Sequence, residues 1–415
     1  MRGSMLTKLG AGALAGLLLA SAASAGELSF WTWRQEDKGQ YQQLFQDFNK
    51  TSPDVRIGFE AFEPQSYQTV LSTALAAGKG PDVIHVRAYG GLEQFAKAGY
   101  LAALDPASTP ELANFTPSAL GSSSLRSDQR VYAIPFASQT LGILINTEVL
   151  EKANLKEAAT WDDFLKLAKA LKDKGVIPLA NGTATAFMAE ILTQTMTASF
   201  LGPDFPSEIA AGKATFEDPR YAAALQHLIE LKDYFPPGFT GIDYPTSQQL
   251  FLSGRAAMLV GGSFEIANFR RQNPNLKIDF VAPPAPSATA PRLVSLFYDG
   301  GYAVNAKTGN REDALKLVRF MGTKGFGDRF SALLGNISPI KGVAIQDPLL
   351  AKVASLNQTS VPYITLVYFR YQDPTGSTLL QGAVQKMMAG QVTPADVGKE
   401  LTAGIATYYE PFKKK

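Results

Sequence analysis

Beyond residue 26 the chain alternates between two hydrophobic periodicities. Glu27 to Trp33 is rich in β-formers, Tyr41, Leu44, Phe45 and Phe48 recur at helical spacing, and Val55 to Phe62 returns to a strand pattern. This predicts a β-α-β unit. Ser66 is placed to cap a helix with Tyr67, Val70, Leu71, Ala74 and Leu75 on its inner face, ending near Gly78, and Gly80-Pro81 then turns the chain into a strand over Asp82 to Arg87. Alternation of this kind argues for mostly parallel sheets with helices on both faces.

A second series begins with the apolar run Leu141 to Ile145. It continues through Thr160, a cap with Asp163 as its partner, ahead of Trp161, Phe164, Leu165, Ala168 and Leu171. Asp218-Pro219 opens a helix with Tyr221, Leu225, Leu228 and Ile229 inward. Ser247 is read as the start of a short helix that stops at Gly254 before the strand-like Ala256 to Val260. The Pro-rich stretch 283–291 reads as a surface loop, Gly301 to Asn305 as a strand, and Asn310 as the cap of a helix carrying Ala314, Leu317, Val318 and Met321. Two helices close the chain, one with Leu380, Val384 and Met387 inward and one capped at Thr393-Pro394.

Length and composition sharpen this. A chain of 415 residues exceeds what one core usually supports, so two lobes are expected. No linker separates them in composition, which suggests several crossings instead of one. With 39 basic and 37 acidic residues and a net charge of +2, there is no electrostatic footprint for nucleic acid. The first 25 residues read as an export signal: Arg2 and Lys8 precede the apolar run Leu9 to Ala20, and Ala23-Ser24-Ala25 fits cleavage before Gly26. That run falls well short of the roughly 20 residues needed to span a bilayer. The absence of cysteine leaves neither a disulfide framework nor a thiol for a lipid anchor, so a freely diffusing periplasmic monomer is expected.

Several segments together resemble the extracellular solute-binding family that includes the maltose- and other sugar-binding proteins of ABC importers. They are Leu28-Ser29-Phe30-Trp31-Thr32-Trp33, Ala76 to Ile84, Tyr132-Ala133-Ile134-Pro135-Phe136 with Leu144-Ile145-Asn146, Thr160 to Phe164, Phe251 to Met258 with Gly262-Ser263, Gly300 to Val304, and Ala314 to Gly325. The resemblance implies a two-lobe α/β clamshell with three hinge crossings, near Pro135 to Gln139, just before Gly300, and near Ile340 to Leu349. One lobe would comprise 27–137 plus 298–342, the other 138–297 plus 343–415. It also implies a carbohydrate ligand, delivery to a membrane permease, and no cofactor or metal.

Open α/β sheets bind ligands at the carboxyl ends of their strands, which singles out particular loops. Trp33, Arg34 and Glu36 follow the first strand, Arg87 and Tyr89 a later one, and Ser138 and Gln139 flank a crossing. Gly262, Ser263 and Phe264 follow Ala256 to Val260, Tyr298, Asp299 and Gly300 sit at the second crossing, and Tyr368 and Arg370 precede the last helices. Aromatic rings suit the C–H face of a pyranose, and Arg, Asp and Gln suit its vicinal hydroxyls. Phe264 stands where the family often has Trp, so a smaller platform is expected there.

Catalytic patterns are hard to assemble. With His85 and His227 as the only histidines there is no HExxH, and Gly261 to Glu265 fails the G-x-S-x-G elbow at its last position. A glycosidase carboxylate pair has no fixed spacing and is not excluded by sequence. A non-sugar solute, such as a glycerophosphodiester, polyamine or peptide, is the other alternative.

Overall fold

The computed structural model describes residues 26–64 and 66–413, so the export segment 1–25 lies outside the described residues. Among the described residues eleven strands form two sheets: β1 (Gly26–Thr32), β2 (Val55–Ala61), β3 (Val83–Val86), β4 (Ile134–Pro135), β5 (Ser138–Asn146), β6 (Ile177–Leu179), β7 (Ala256–Gly262), β8 (Ile278–Val281), β9 (Val294–Tyr298), β10 (Gly301–Val304) and β11 (Ser360–Pro362). The first sheet runs β2-β1-β3-β10-β4; the second runs β11-β9-β5-β7-β6, with β8 also paired to β5.

Strand direction follows from how the chain passes between the sheets. β4 leads through Phe136-Ala137 into β5, and β9 leads through Asp299-Gly300 into β10. A strand that leaves such a passage must run away from it. β10 is accordingly antiparallel to β3 and β4, and β5 antiparallel to β7, β8 and β9. The other strands of each sheet share one direction, as the parallel pairs β1/β2, β1/β3, β6/β7 and β9/β11 show. Each sheet is therefore mixed in its pairings, because its one reversed strand lies inside it, yet the remaining carboxyl ends point toward the passages.

A third passage follows the helix Lys324–Leu334, which packs against the helix Lys38–Asn49 beside the first sheet. The next helix, Pro348–Leu356, packs on β8 of the second. Amphipathic spacing explains most of the covering helices: Tyr41, Leu44, Phe45 and Phe48 are buried on Lys38–Asn49, and Trp161, Phe164, Leu167, Ala168 and Leu171 on Trp161–Asp173.

Two expectations shift. The helix expected from Ser247 begins at Tyr244, because the Asp243 carboxylate accepts from the Thr246 N–H and Pro245 sits in the first turn; Ser247 is buried inside it. The helix Ala186–Leu201 has no counterpart in the hydrophobic pattern. It is buried nearly all round, with Thr193, Thr195 and Thr197 as well as Leu192 and Met196 inside, so it carries no apolar stripe.

Candidate functional site

The cleft between the sheets is floored by residues at the ends of β1, β3 and β9. Trp33 is 3% exposed and stacks on the His85 ring at 3.8 Å. The Arg87 guanidinium carbon lies 3.8 Å from the centre of the same indole, and Arg87 Nη1 donates to Asp299 Oδ1 at 3.4 Å. That hydrogen bond is long, and Asp299 is the one acceptor Arg87 has among the described residues. Burial lowers the Arg87 pKa to about 10, Asp299 opposing and Arg370 and Arg34 adding to the effect. Burial likewise lifts the Asp299 carboxyl above its usual range against the pull of Arg87, Arg34 and Arg370. Both partners thus keep hydrogen-bonding capacity that their own pairing leaves unspent.

Arg34 lies beside them and is differently placed. Its Nε donates to Asp37 Oδ2 at 2.7 Å and stands 3.2 Å from Glu36 Oε1. Burial acts to lower its pKa, but Asp37, Glu36 and Asp299 outweigh this and raise it. Asp37, itself fully buried, also meets Arg271 of the second lobe at 3.6 Å.

His85 is fully buried. Its Nδ1 is 2.8 Å from Thr32 Oγ1 and its Nε2 has no hydrogen-bond partner. Burial first, then Arg34 and Arg87, depress its pKa well below the ordinary histidine value, so the ring is neutral.

The opposite wall is aromatic. Tyr89 is buried at φ 58° and its hydroxyl accepts from the Tyr298 N–H at 3.2 Å. The next residue, Gly90, lies directly against the backbone carbonyl of Arg370 and leaves no room for a Cβ. Arg126 sits over the Tyr371 ring at 3.3 Å. Tyr244 and Phe264 pack partly buried against the same cluster, and the exposed Phe187 ring meets Tyr244 edge-on at 5.1 Å. The Tyr244 hydroxyl donates to Glu265 Oε1 at 2.5 Å, and Gln248 Nε2 donates to Glu265 Oε2 at 2.9 Å.

Of the residues singled out in sequence, the fold brings Trp33, Arg34, Arg87, Asp299 and Gly300 into one floor and sets Tyr89 and Tyr298 against it. Glu36, Phe264, Tyr368 and the exposed Arg370 stand around it. Others have structural work that their residue type could not reveal. Gln139 is fully buried with both ends of its amide engaged: Nε2 donates to Asn336 Oδ1 at 3.1 Å and Oε1 accepts from Ser263 Oγ at 2.8 Å. Ser263 Oγ in turn accepts from the Thr140 N–H at 3.1 Å, and the Ser138 N–H donates to the Ile337 carbonyl at 2.8 Å. These residues knit the first and third passages together. Gly262 makes space for the Phe264 ring, which a Cβ would approach at 2.1 Å, and not for a ligand's approach to the backbone. Trp33 is packed in the floor, not displayed as an open platform. Tyr244 and Glu265 escape sequence reasoning, since they meet through the contact of two helices, and Asp37 escapes it although it lies only three residues from Arg34. The Asp243 cap is the one local signal that would have placed Tyr244.

Two α/β sheets joined by three passages, with their strand ends facing a shared cleft, define a clamshell binding fold. Residues 32–326 match the family model of the bacterial extracellular solute-binding proteins, and this chain belongs to that family. Among its relatives, the multiple sugar-binding protein of Streptococcus mutans is 24% identical over 329 residues, covering 76% of each chain. The maltotriose-binding protein of Pyrococcus abyssi is 25% identical over 347 residues, 78% of this chain and 68% of the relative. The solved structure of the bacterial solute receptor AcbH superposes with a TM-score of 0.81 at 18% identity, over 93% of this chain and all of that one. Among the described residues no helix is long and apolar enough to cross a membrane, and no cluster of three or more His, Cys, Asp or Glu could hold a metal ion.

Proposed function

We propose that this protein is the substrate-capturing component of an ABC importer and binds a mono- or oligosaccharide in the cleft, which it hands unaltered to a membrane permease. The observation that carries the reading is the Arg87–Asp299 pair on the Trp33 floor, a donor and an acceptor with spare capacity set among aromatic rings. A vicinal diol can take one bond from the guanidinium and give one to the carboxylate, while a ring C–H face packs on tyrosine or phenylalanine. The charges balance, Arg34 and Arg271 against Glu36 and Asp37 and Arg87 against Asp299, which suits a neutral ligand. The names of the sugar-binding and ABC-transporter relatives support the same conclusion. The lobes are taken as 27–137 plus 298–342 and 138–297 plus 343–415, hinged at the three passages, with the protein acting as a monomer in the periplasm.

The test is a thermal-shift screen of maltotriose, raffinose, galactose and chitobiose alongside glycerophosphocholine, spermidine and a tripeptide. A saccharide at a hundred times its Kd adds about 2.7 kcal/mol of stability. Stabilisation by a non-sugar solute alone, or release of a product on incubation, would overturn the reading.

A further inference from the structure

One helix of the first lobe carries a notch in its backbone. Gly90 opens the helix Gly90–Lys97 with helical backbone angles that any residue can adopt, so nothing in its own conformation calls for glycine. Its surroundings do. A Cβ there would run into the carbonyl oxygen of Arg370, with the carbonyl carbon at 2.5 Å and Tyr371 Cα at 3.1 Å. These three nearest atoms are all backbone of the second lobe.

The segment that fills the notch passes from one core to the other within two residues. Phe369 is fully buried in the core of the second lobe against Phe216, Tyr409 and Phe412, and its carbonyl accepts from the Gly376 N–H at 2.6 Å. Tyr371 packs instead against the aromatic cluster that extends from the core of the first lobe, with Arg126 over its ring at 3.3 Å. Arg126 is held from behind by the helix that bears the notch, its Nε donating to Glu93 Oε2 at 3.1 Å. Among the described residues no hydrogen bond or ion pair ties Arg370 or Tyr371 to the first lobe. The seam is therefore van der Waals contact and one cation–π pair, which can part without stranding a buried polar group.

We propose that Gly90 sets how far the lobes close: the space left by its missing side chain is the seat of the Arg370 carbonyl, taken when the lobes come together over the cleft and vacated when they part. This rests on the reading of the two sheets as hinged lobes. Gly90 is a positioning residue, acting on a guest through the depth of closure without touching it. In an open molecule the second-lobe backbone has left the notch, and alanine suits a helix better than glycine does. In a closed molecule an alanine methyl meets backbone, which cannot swing aside as the end of a side chain can. Gly90→Ala therefore acts against one state alone and holds the cleft ajar.

The chain has no cysteine, so Arg126→Cys with Tyr371→Cys places a unique pair of thiols on the two sides of the seam. Cross-linking by dibromobimane, with no sugar added, reads how often the sides meet. The pair is expected to link with Gly90 in place, and adding Gly90→Ala is expected to slow linkage by about tenfold or more. An equal rate with Gly90→Ala overturns the proposal, as does failure of the pair to link. The second readout is the melting temperature of Gly90→Ala alone, without cysteines or sugar, which is expected to match or exceed that of the parent. A fall of about 3 °C or more would make the seam permanent packing, not a contact made on closure, and would also overturn the proposal. No sugar enters either measurement, so failure here leaves the saccharide reading standing, and failure of the thermal-shift screen leaves both readouts intact.

Discussion

The Arg87 guanidinium and the Trp33 indole are in van der Waals contact on the cleft floor, 3.8 Å from carbon to ring centre. This ties the packing of the first lobe to the presentation of a charged group, because the indole also stacks on His85 and is 3% exposed. Trp33→Ala removes a buried aromatic and should cost about 3–5 kcal/mol in urea unfolding. A loss under about 1 kcal/mol would mean that the ring is not packed as described.

The Arg87–Asp299 pair should show measurable coupling. Its side chains are 26% and 19% exposed, so solvent screens part of the attraction. A double-mutant cycle with Arg87→Ala and Asp299→Ala is expected to give a coupling energy on the order of 1 kcal/mol in unfolding, reduced in high salt. Asp299→Asn keeps the shape but not the charge. It should weaken the saccharide found by thermal shift by about tenfold or more, and an unchanged titration would remove Asp299 from the site.

Much of this arrangement is legible in the amino-acid sequence, and the reasons for the rest are physical. Strands such as β2 and β10 match their sequence patterns to within a residue, since a short run of β-forming residues bounded by turns is a local property. Trp33, Arg87 and Asp299 meet as the sequence suggests because each lies just past the carboxyl end of a strand, a rule that needs only strand boundaries. Ser263 satisfies the same rule, and Gln139 lies at a crossing, yet both serve the hinge. What separates them is the pairing of Gln139 with Asn336, 197 residues away. The Tyr244–Glu265 bond depends on how two helices meet, and the helix Ala186–Leu201 lacks a polar face to reveal its period.

Asp82 gives a prediction about acid. Its Oδ2 accepts from both the N–H and the hydroxyl of Ser29 at 2.8 Å, and Thr308 donates to Oδ1. Burial acts to raise its pKa, but these donors outweigh it and hold the carboxyl below the usual 3.8. The sign follows directly: the stabilisation is present above about pH 4 and is lost as pH falls through the depressed folded value. Urea unfolding from about pH 6 down to about pH 3 should show this acid loss, with a smaller slope in Asp82→Asn. Identical slopes would contradict the hydrogen bonding.

Gly300 offers the most local test of the hinge. It links β9 to β10, and a Cβ there would lie 2.5 Å from the Val86 carbonyl oxygen and 2.8 Å from Trp33 Cη2. Neither neighbour yields cheaply, because one is backbone within the first sheet and the other is the packed indole. Gly300→Ala should therefore force β10 away from β3 at its first residue, where Gly301 pairs with Val86, at a cost of about 1–3 kcal/mol. Gly39 is the matched control: it lies in the helix Lys38–Asn49, and a Cβ there meets nothing within 4 Å. Gly39→Ala should be neutral or stabilising by up to about 1 kcal/mol. Equal melting temperatures for the two alanine variants would show that the passage tolerates a side chain, and that β10 is not held against β3 by the missing Cβ.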